Sequence, residues 1–136
     1  MKLVVDANIL LSALLRKGLT QRLWFHPSLR LSAPEFLLVE ARAHIEEMRQ
    51  KYGGTQDELM RVFSLLEKQL TLVQDEKLLP FLPAASTLTK DRKDLLYLAC
   101  ALYEDAALWT HDKGFKSQRR IKIYSTLELG EEIGSL

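Results

Sequence analysis

The spacing of apolar positions along the chain changes several times, and each change predicts a new element. Leu3-Val4-Val5 is a short β-branched run that reads as a strand buried on both faces. It turns through Asp6-Ala7-Asn8 into a helical pattern that stops at Arg16-Lys17-Gly18, with Gly18 where a helix C-cap is expected. Leu19, Leu23 and Trp24 repeat at helical spacing until His26-Pro27. Leu29-Arg30-Leu31 is a weak second strand. Ser32-Ala33-Pro34-Glu35 combines a capping box with a first-turn proline, so a helix is expected from there to about Tyr52, ending at Gly53-Gly54. Thr55-Gln56-Asp57-Glu58 is a second capping box, and Leu59, Val62, Phe63, Leu66 and Leu70 then form one helical stripe.

Leu70-Thr71-Leu72-Val73 alternates as a third strand. Pro80 and Pro83 break the next stretch into a short helix and a loop. Residues 91–103 form a strongly apolar helix, buried on most sides. Ala106-Ala107-Leu108-Trp109-Thr110 reads as a fourth strand, ending at His111-Asp112-Lys113-Gly114. Ile121-Lys122-Ile123-Tyr124 alternates as a fifth, and Ser125-Thr126-Leu127-Glu128 caps a last short helix. Strands alternating with helices imply a three-layer α/β/α sandwich around a five-stranded parallel sheet. A compact strand order is 3-2-1-4-5, which makes strands 1 and 4 neighbours and opens a crevice between their carboxyl ends. Residues 1–136 are expected to form a single domain.

Composition narrows the class. Nineteen Lys and Arg stand against 18 Asp and Glu, so net charge near zero announces neither nucleic acid nor membrane surface. The lone Cys100 excludes an internal disulfide and suits a reducing cytoplasm; inside the apolar run 95–102 it reads as packing. No apolar stretch approaches membrane-spanning length, and Asp6 and Asn8 interrupt the one segment that mimics a signal peptide.

Four acids carry the chemistry. Asp6 and Asp112 stand just past strands 1 and 4 and face one crevice under the expected order. Glu40 is a charge inside the apolar helical segment Phe36-Leu37-Leu38-Val39-Glu40-Ala41. Asp94 follows Asp91 by three residues at a helix start, where Asp91 reads as the N-cap. Each has a plainer alternative: Asp6 as a helix cap, Glu40 paired with Arg42 or His44, Asp94 merely favouring a helix N-terminus. Together they are harder to dismiss. Carboxylates converging at about 5 Å repel by roughly 3 kcal/mol per pair at an effective dielectric of 20. A fold tolerates that if some protonate or a cation neutralises them. Oxygen ligands without His or Cys at ligand spacing select a hard cation, Mg²⁺ or Mn²⁺, able to activate water against a phosphodiester.

The motifs Val4-Val5-Asp6-Ala7-Asn8-Ile9-Leu10-Leu11, Leu37-Leu38-Val39-Glu40, Asp91-Arg92-Lys93-Asp94 with Leu98-Ala99-Cys100-Ala101, and Trp109-Thr110-His111-Asp112-Lys113-Gly114-Phe115 follow one another in order. Together they resemble the PIN domain, a metal-dependent nuclease fold common among toxin ribonucleases of the VapC type. The resemblance covers nearly the whole chain. It implies a carboxylate-bound Mg²⁺ or Mn²⁺ on Asp6, Glu40, Asp94 and Asp112, with Asn8 and Thr110 orienting carboxylates or water. It further implies cleavage of single-stranded RNA, a homodimer and, for toxin members, a small antitoxin protein covering the groove.

Basic residues could supply a phosphate-binding rim. Lys113, Lys116, Arg119, Arg120 and Lys122 cluster after Asp112, and Lys90, Arg92 and Lys93 bracket Asp91. Two other classes compete with an endoribonuclease. One is a catalytically silent RNA- or partner-binding module on the same fold. The other is a phosphoacceptor receiver domain with Asp75 as acceptor, but no acidic pair ends strand 1, and Ser125-Thr126 replaces the lysine expected after strand 5.

Overall fold

The computed structural model describes residues 1–135, without the side chains of residues 51 and 52; Leu136 lies outside the described residues. Five strands form one parallel sheet: β1 (Lys2–Val5), β2 (Arg30–Pro34), β3 (Leu70–Val73), β4 (Ala107–Trp109) and β5 (Ile123–Tyr124). Their order is β3-β2-β1-β4-β5, as the alternation of strand and helix patterns predicts. β1 is central because its three apolar residues have no polar face to show water; Leu3, Val4 and Val5 are completely buried. It pairs with β2 on one side and β4 on the other, with Val5 opposite Trp109.

The helices are α1 (Ala7–Leu15), α2 (Leu19–Trp24), α3 (Phe36–Tyr52), α4 (Gln56–Lys68), α5 (Asp75–Leu78), α6 (Leu82–Ser86), α7 (Arg92–Glu104) and α8 (Thr126–Glu132). α1 packs against α2, α3 and α4, while α7 lies over β1, β2 and β4 with α5 and α6 beside it. Five consecutive α7 residues, Tyr97 to Ala101, are buried, which matches its unbroken apolar sequence. Burial pushes the Cys100 thiol up to about 12, so it is inert packing.

Several local expectations are corrected. Ser32, Ala33 and Pro34 are not a capping box; they complete β2 opposite Thr71, Leu72 and Val73. Ladder bonds to neighbouring strands outweigh a single cap, and Pro34 stands at the strand end, where its missing N–H costs least. α3 therefore starts without a side-chain cap. Gly18 does not close α1, which ends at Leu15 with Arg16 as its C-cap; with extended backbone Gly18 precedes α2 instead. Leu70 belongs to β3 rather than to the α4 stripe, of which Phe63 and Leu66 are buried. Around Pro80 and Pro83 the chain is helical rather than looped. A 3₁₀ turn (Leu79–Phe81) and α6 each carry their proline in the first turn, where no N–H is needed. β5 pairs over two residues, not four.

Two indoles join the layers behind the sheet edge. Trp24 on α2 donates to the Leu66 carbonyl of α4, and its ring lies 6.1 Å from that of Trp109 at 44°. Trp109 donates to Thr126 Oγ1, which also lies 3.1 Å from Thr20 Oγ1 and 2.6 Å from His111 Nε2. Both rings are buried with their N–H groups satisfied, a core role rather than a base-stacking one. Trp24→Ala is expected to destabilise the fold by about 3–5 kcal/mol, measured by chemical denaturation.

Candidate active site

The carboxyl edge of the sheet brings the acids together. Asp6 follows β1 and is buried. Its Oδ1 accepts from the Ile9 amide at 3.0 Å, capping α1, while its Oδ2 accepts from the Thr110 hydroxyl. Thr110 follows β4, the neighbour of β1, so one residue beyond each strand is enough for the two to meet. The Thr110 hydroxyl also accepts from the Asp112 amide at 3.0 Å, which turns the chain into the next segment. There Asp112 Oδ1 accepts from the Gly114 amide at 2.8 Å and starts a 3₁₀ turn (Lys113–Ser117). A Cβ on residue 114 would sit 3.1 Å from that oxygen, so glycine permits the close approach.

Glu40 enters from α3, where its Oε1 accepts from the buried Tyr97 hydroxyl of α7. Asp94 stands one turn before Tyr97 on the same helix face. Asp91 is the N-cap of α7, its Oδ1 accepting from the Lys93 amide at 2.9 Å. A cavity of about 240 Å³ is lined by Asp6, Asn8, Glu40, Asp94, Asp112 and Tyr97, with His44, Asp91 and Lys93 on its wall.

The electrostatics follow from this crowding. Burial pushes the Asp6 carboxyl above the usual carboxylate range; its bonds to Thr110 and Ile9 work in the opposite direction, as does the nearby His111. Asp94 is pushed up to about 6, by burial first and then by the charges of Asp91, Asp112, Asp6 and Glu40. Among the described residues, the ion pairs His44–Glu47, Arg49–Glu46 and Lys116–Glu128 leave these four acids out. Their mutual repulsion is met by neutral donors rather than by a lysine or arginine.

A family model described as "PIN domain" matches residues 4–128. The chain belongs to the PIN domain family. Among solved structures, this PIN domain is similar in fold to VapBC2 from Rickettsia felis bound to a promoter DNA fragment (15% identity, TM-score 0.72, 92% of this chain and 98% of that one). It is also similar to PAE2754 from Pyrobaculum aerophilum (18% identity, TM-score 0.71, 100% and 91%) and VapBC-1 from nontypeable Haemophilus influenzae (19% identity, TM-score 0.62, 93% and 99%). No curated protein matches the chain. The receiver-like alternative is thereby set aside; Asp75 merely opens the short α5.

Around the cavity of this PIN domain, Asp6, Glu40, Asp94 and Asp112 meet, Asn8 lies exposed in the first turn of α1, and Thr110 sits behind Asp6. The basic run does not stay together. Lys113 directly follows Asp112, but Lys116 is paired with Glu128 at 2.9 Å. Arg120 lines a separate cavity of about 400 Å³ with Ala106, Ala107 and Lys122, by the start of β4 at the opposite sheet edge. The reason is topological: the connection from β4 to the parallel β5 must run back past the sheet, carrying Arg119 and Arg120 away from the acids. Lys93 stands on the wall where a basic rim is expected, whereas Tyr97 and His44 at the cavity are not anticipated by the sequence. The available signals were spacing: Tyr97 is three residues after Asp94, and His44 is four after Glu40, each on one helical face.

The raised Asp94 pKa has a definite sign for stability. In the fold the carboxyl holds its proton up to about 6, against an ordinary value of 3.8. The stability this contributes is complete below about pH 4 and is lost as pH rises through 6. Glu128, lowered to about 2 by the Ser125 amide and Lys116, acts in the other direction at lower pH. In EDTA, Tm is therefore expected to fall between pH 4 and 7, and Asp94→Asn is expected to flatten that slope, as read by differential scanning calorimetry.

Proposed function

We propose that this PIN domain is a metal-dependent endoribonuclease that cleaves single-stranded RNA, acting as the cytoplasmic toxin of a toxin–antitoxin pair. The observation that carries the reading is the convergence of Asp6, Glu40, Asp94 and Asp112 on one cavity at the carboxyl edge of the sheet. Family membership supports nuclease chemistry, and two of the similar folds are named VapBC.

The donor set fits Mg²⁺ or Mn²⁺. It consists of hard carboxylate oxygens, uncompensated by any basic ion pair among the described residues. No three acidic, histidine or cysteine side chains among those residues are drawn together tightly enough to hold an ion unaided. Mg²⁺ commonly keeps several waters and takes only one or two carboxylates directly. When bound, it would supply Lewis-acid charge at a phosphodiester oxygen and a more acidic water.

The residues then divide the work. Asp6, Asp94 and Asp112 would hold the cation, one or two of them directly and the rest through its waters, and Glu40 would be a further ligand or the base that takes a proton from a water. Thr110 keeps Asp6 turned toward the cavity, and Asn8 orients water there. Lys93 on the cavity wall and Lys113 beside Asp112 bind the RNA backbone, with Lys116 as a contact further along the strand. Among the described residues no helix is long and apolar enough to cross a membrane. The reading includes a homodimer and an antitoxin segment that covers the cavity.

Two measurements test it. Mg²⁺ or Mn²⁺ is expected to raise Tm and EDTA to lower it, because the cation binds the folded site alone. Asp6→Asn should shrink that gain, and an equal response in both proteins would remove Asp6 from the site.

The second measurement is cleavage of end-labelled single-stranded RNA with Mn²⁺, with and without EDTA, followed by end-group analysis. In-line attack by water, with the 3′-oxygen leaving, gives 5′-phosphate and 3′-hydroxyl ends. Asp94→Asn should abolish cleavage with the fold intact. Asp91→Asn should retain it, since asparagine caps a helix as well as aspartate. A 2′,3′-cyclic phosphate or activity that survives EDTA would contradict the mechanism. RNA binding without cleavage would favour the silent module.

A further inference from the structure

The Tyr97 hydroxyl occupies a junction that none of the four acids explains. It is buried in the middle of α7 and donates to Glu40 Oε1 across the gap to α3. Two helices therefore meet on one oxygen, at the wall of the cavity. Among the described residues no buried side-chain polar atom lacks a partner, so this is a satisfied arrangement rather than an accidental contact.

We infer that Tyr97 is a positioning residue for the cation site. Its hydroxyl holds one oxygen of Glu40 so that the other, Oε2, is presented to the cation. This rests on the metal-dependent reading given above and adds a residue to it. Two observations favour the role over simple packing. Glu40 is only half-buried and follows Val39, which is 64% exposed, so packing alone does not fix its carboxylate. Among the described residues no basic side chain is paired with it to fix its rotamer. A phenylalanine would fill the same space without holding Glu40.

The test is Mn²⁺ affinity of the full chain, measured by the electron paramagnetic resonance signal of free Mn²⁺ in the absence of RNA. Tyr97→Phe is expected to weaken binding by about 10–100-fold, the usual cost of removing a residue that orients a metal ligand. Tyr97→Leu is a second hydroxyl-free variant should the first unfold. The discriminating comparison is Glu40→Gln with and without Tyr97→Phe. If the hydroxyl acts through Glu40, the double variant binds no more weakly than Glu40→Gln alone. A purely structural role would instead add its loss in both backgrounds, and that additivity overturns the inference. Affinity unchanged in Tyr97→Phe overturns it as well, while leaving the metal reading standing. Absence of Mn²⁺ binding by the unaltered protein overturns both.

Discussion

The hydroxyl of Thr110 holds Asp6 among three other carboxylates, and the arrangement of the cavity depends on that bond. It forms because β1 and β4 are neighbours, so the residues just beyond them come within reach without a long loop. The same hydroxyl accepts the Asp112 amide, so one side chain fixes two acids at once. The remaining acids are restrained in the same manner, by groups without charge: Tyr97 for Glu40, the first turn of α7 for Asp94. A lysine in any of these positions would have relieved the repulsion and removed the attraction for a cation. Neutral donors keep the geometry and leave the charge to be answered from outside.

α7 connects this chemistry to the core. Its first turn carries Asp94, its second carries Tyr97, and the residues immediately after are among the most buried in the chain. The helix cannot shift without disturbing both ends of that sequence. Rigidity at the site is thus supplied by the interior of the protein, as placement of catalytic groups to within a fraction of an ångström requires.

What could be read in the chain depended on whether the deciding interaction was local. Strand order followed from the alternation of patterns, since parallel strands need helical crossovers and the central strand must be apolar throughout. The meeting of Asp6, Glu40, Asp94 and Asp112 at one cavity was legible because a charge beside apolar residues, or beyond a buried strand, is costly unless something compensates it. Asp6 also showed that two readings can hold together, since one oxygen caps α1 while the other faces Thr110. Ser32 to Pro34 misled because a capping pattern spans four residues, whereas the pairing that overrides it comes from Val4 and from residues 71–73. Tyr97 escaped for the same reason: in an apolar helix a tyrosine resembles core, and its partner is 57 residues away. Arg120 was misplaced because sequence proximity to Asp112 carries no information about the direction in which the connection runs.

Thr126 Oγ1 has three partners and a single proton of its own. It accepts the Trp109 indole N–H, which leaves one acceptance and one donation to divide between Thr20 and His111. If His111 Nε2 is bare, Thr126 donates to it and Thr20 must donate to Thr126. If Nε2 carries hydrogen, the bonds to His111 and Thr20 both reverse while that from Trp109 stays, and Thr20 becomes the recipient. An imidazole at the protein surface, one residue from Asp112, therefore dictates which way a hydroxyl dipole points in the seam between α2 and α8. The row of hydrogen bonds has a polarity, and its sense is written from the solvent side.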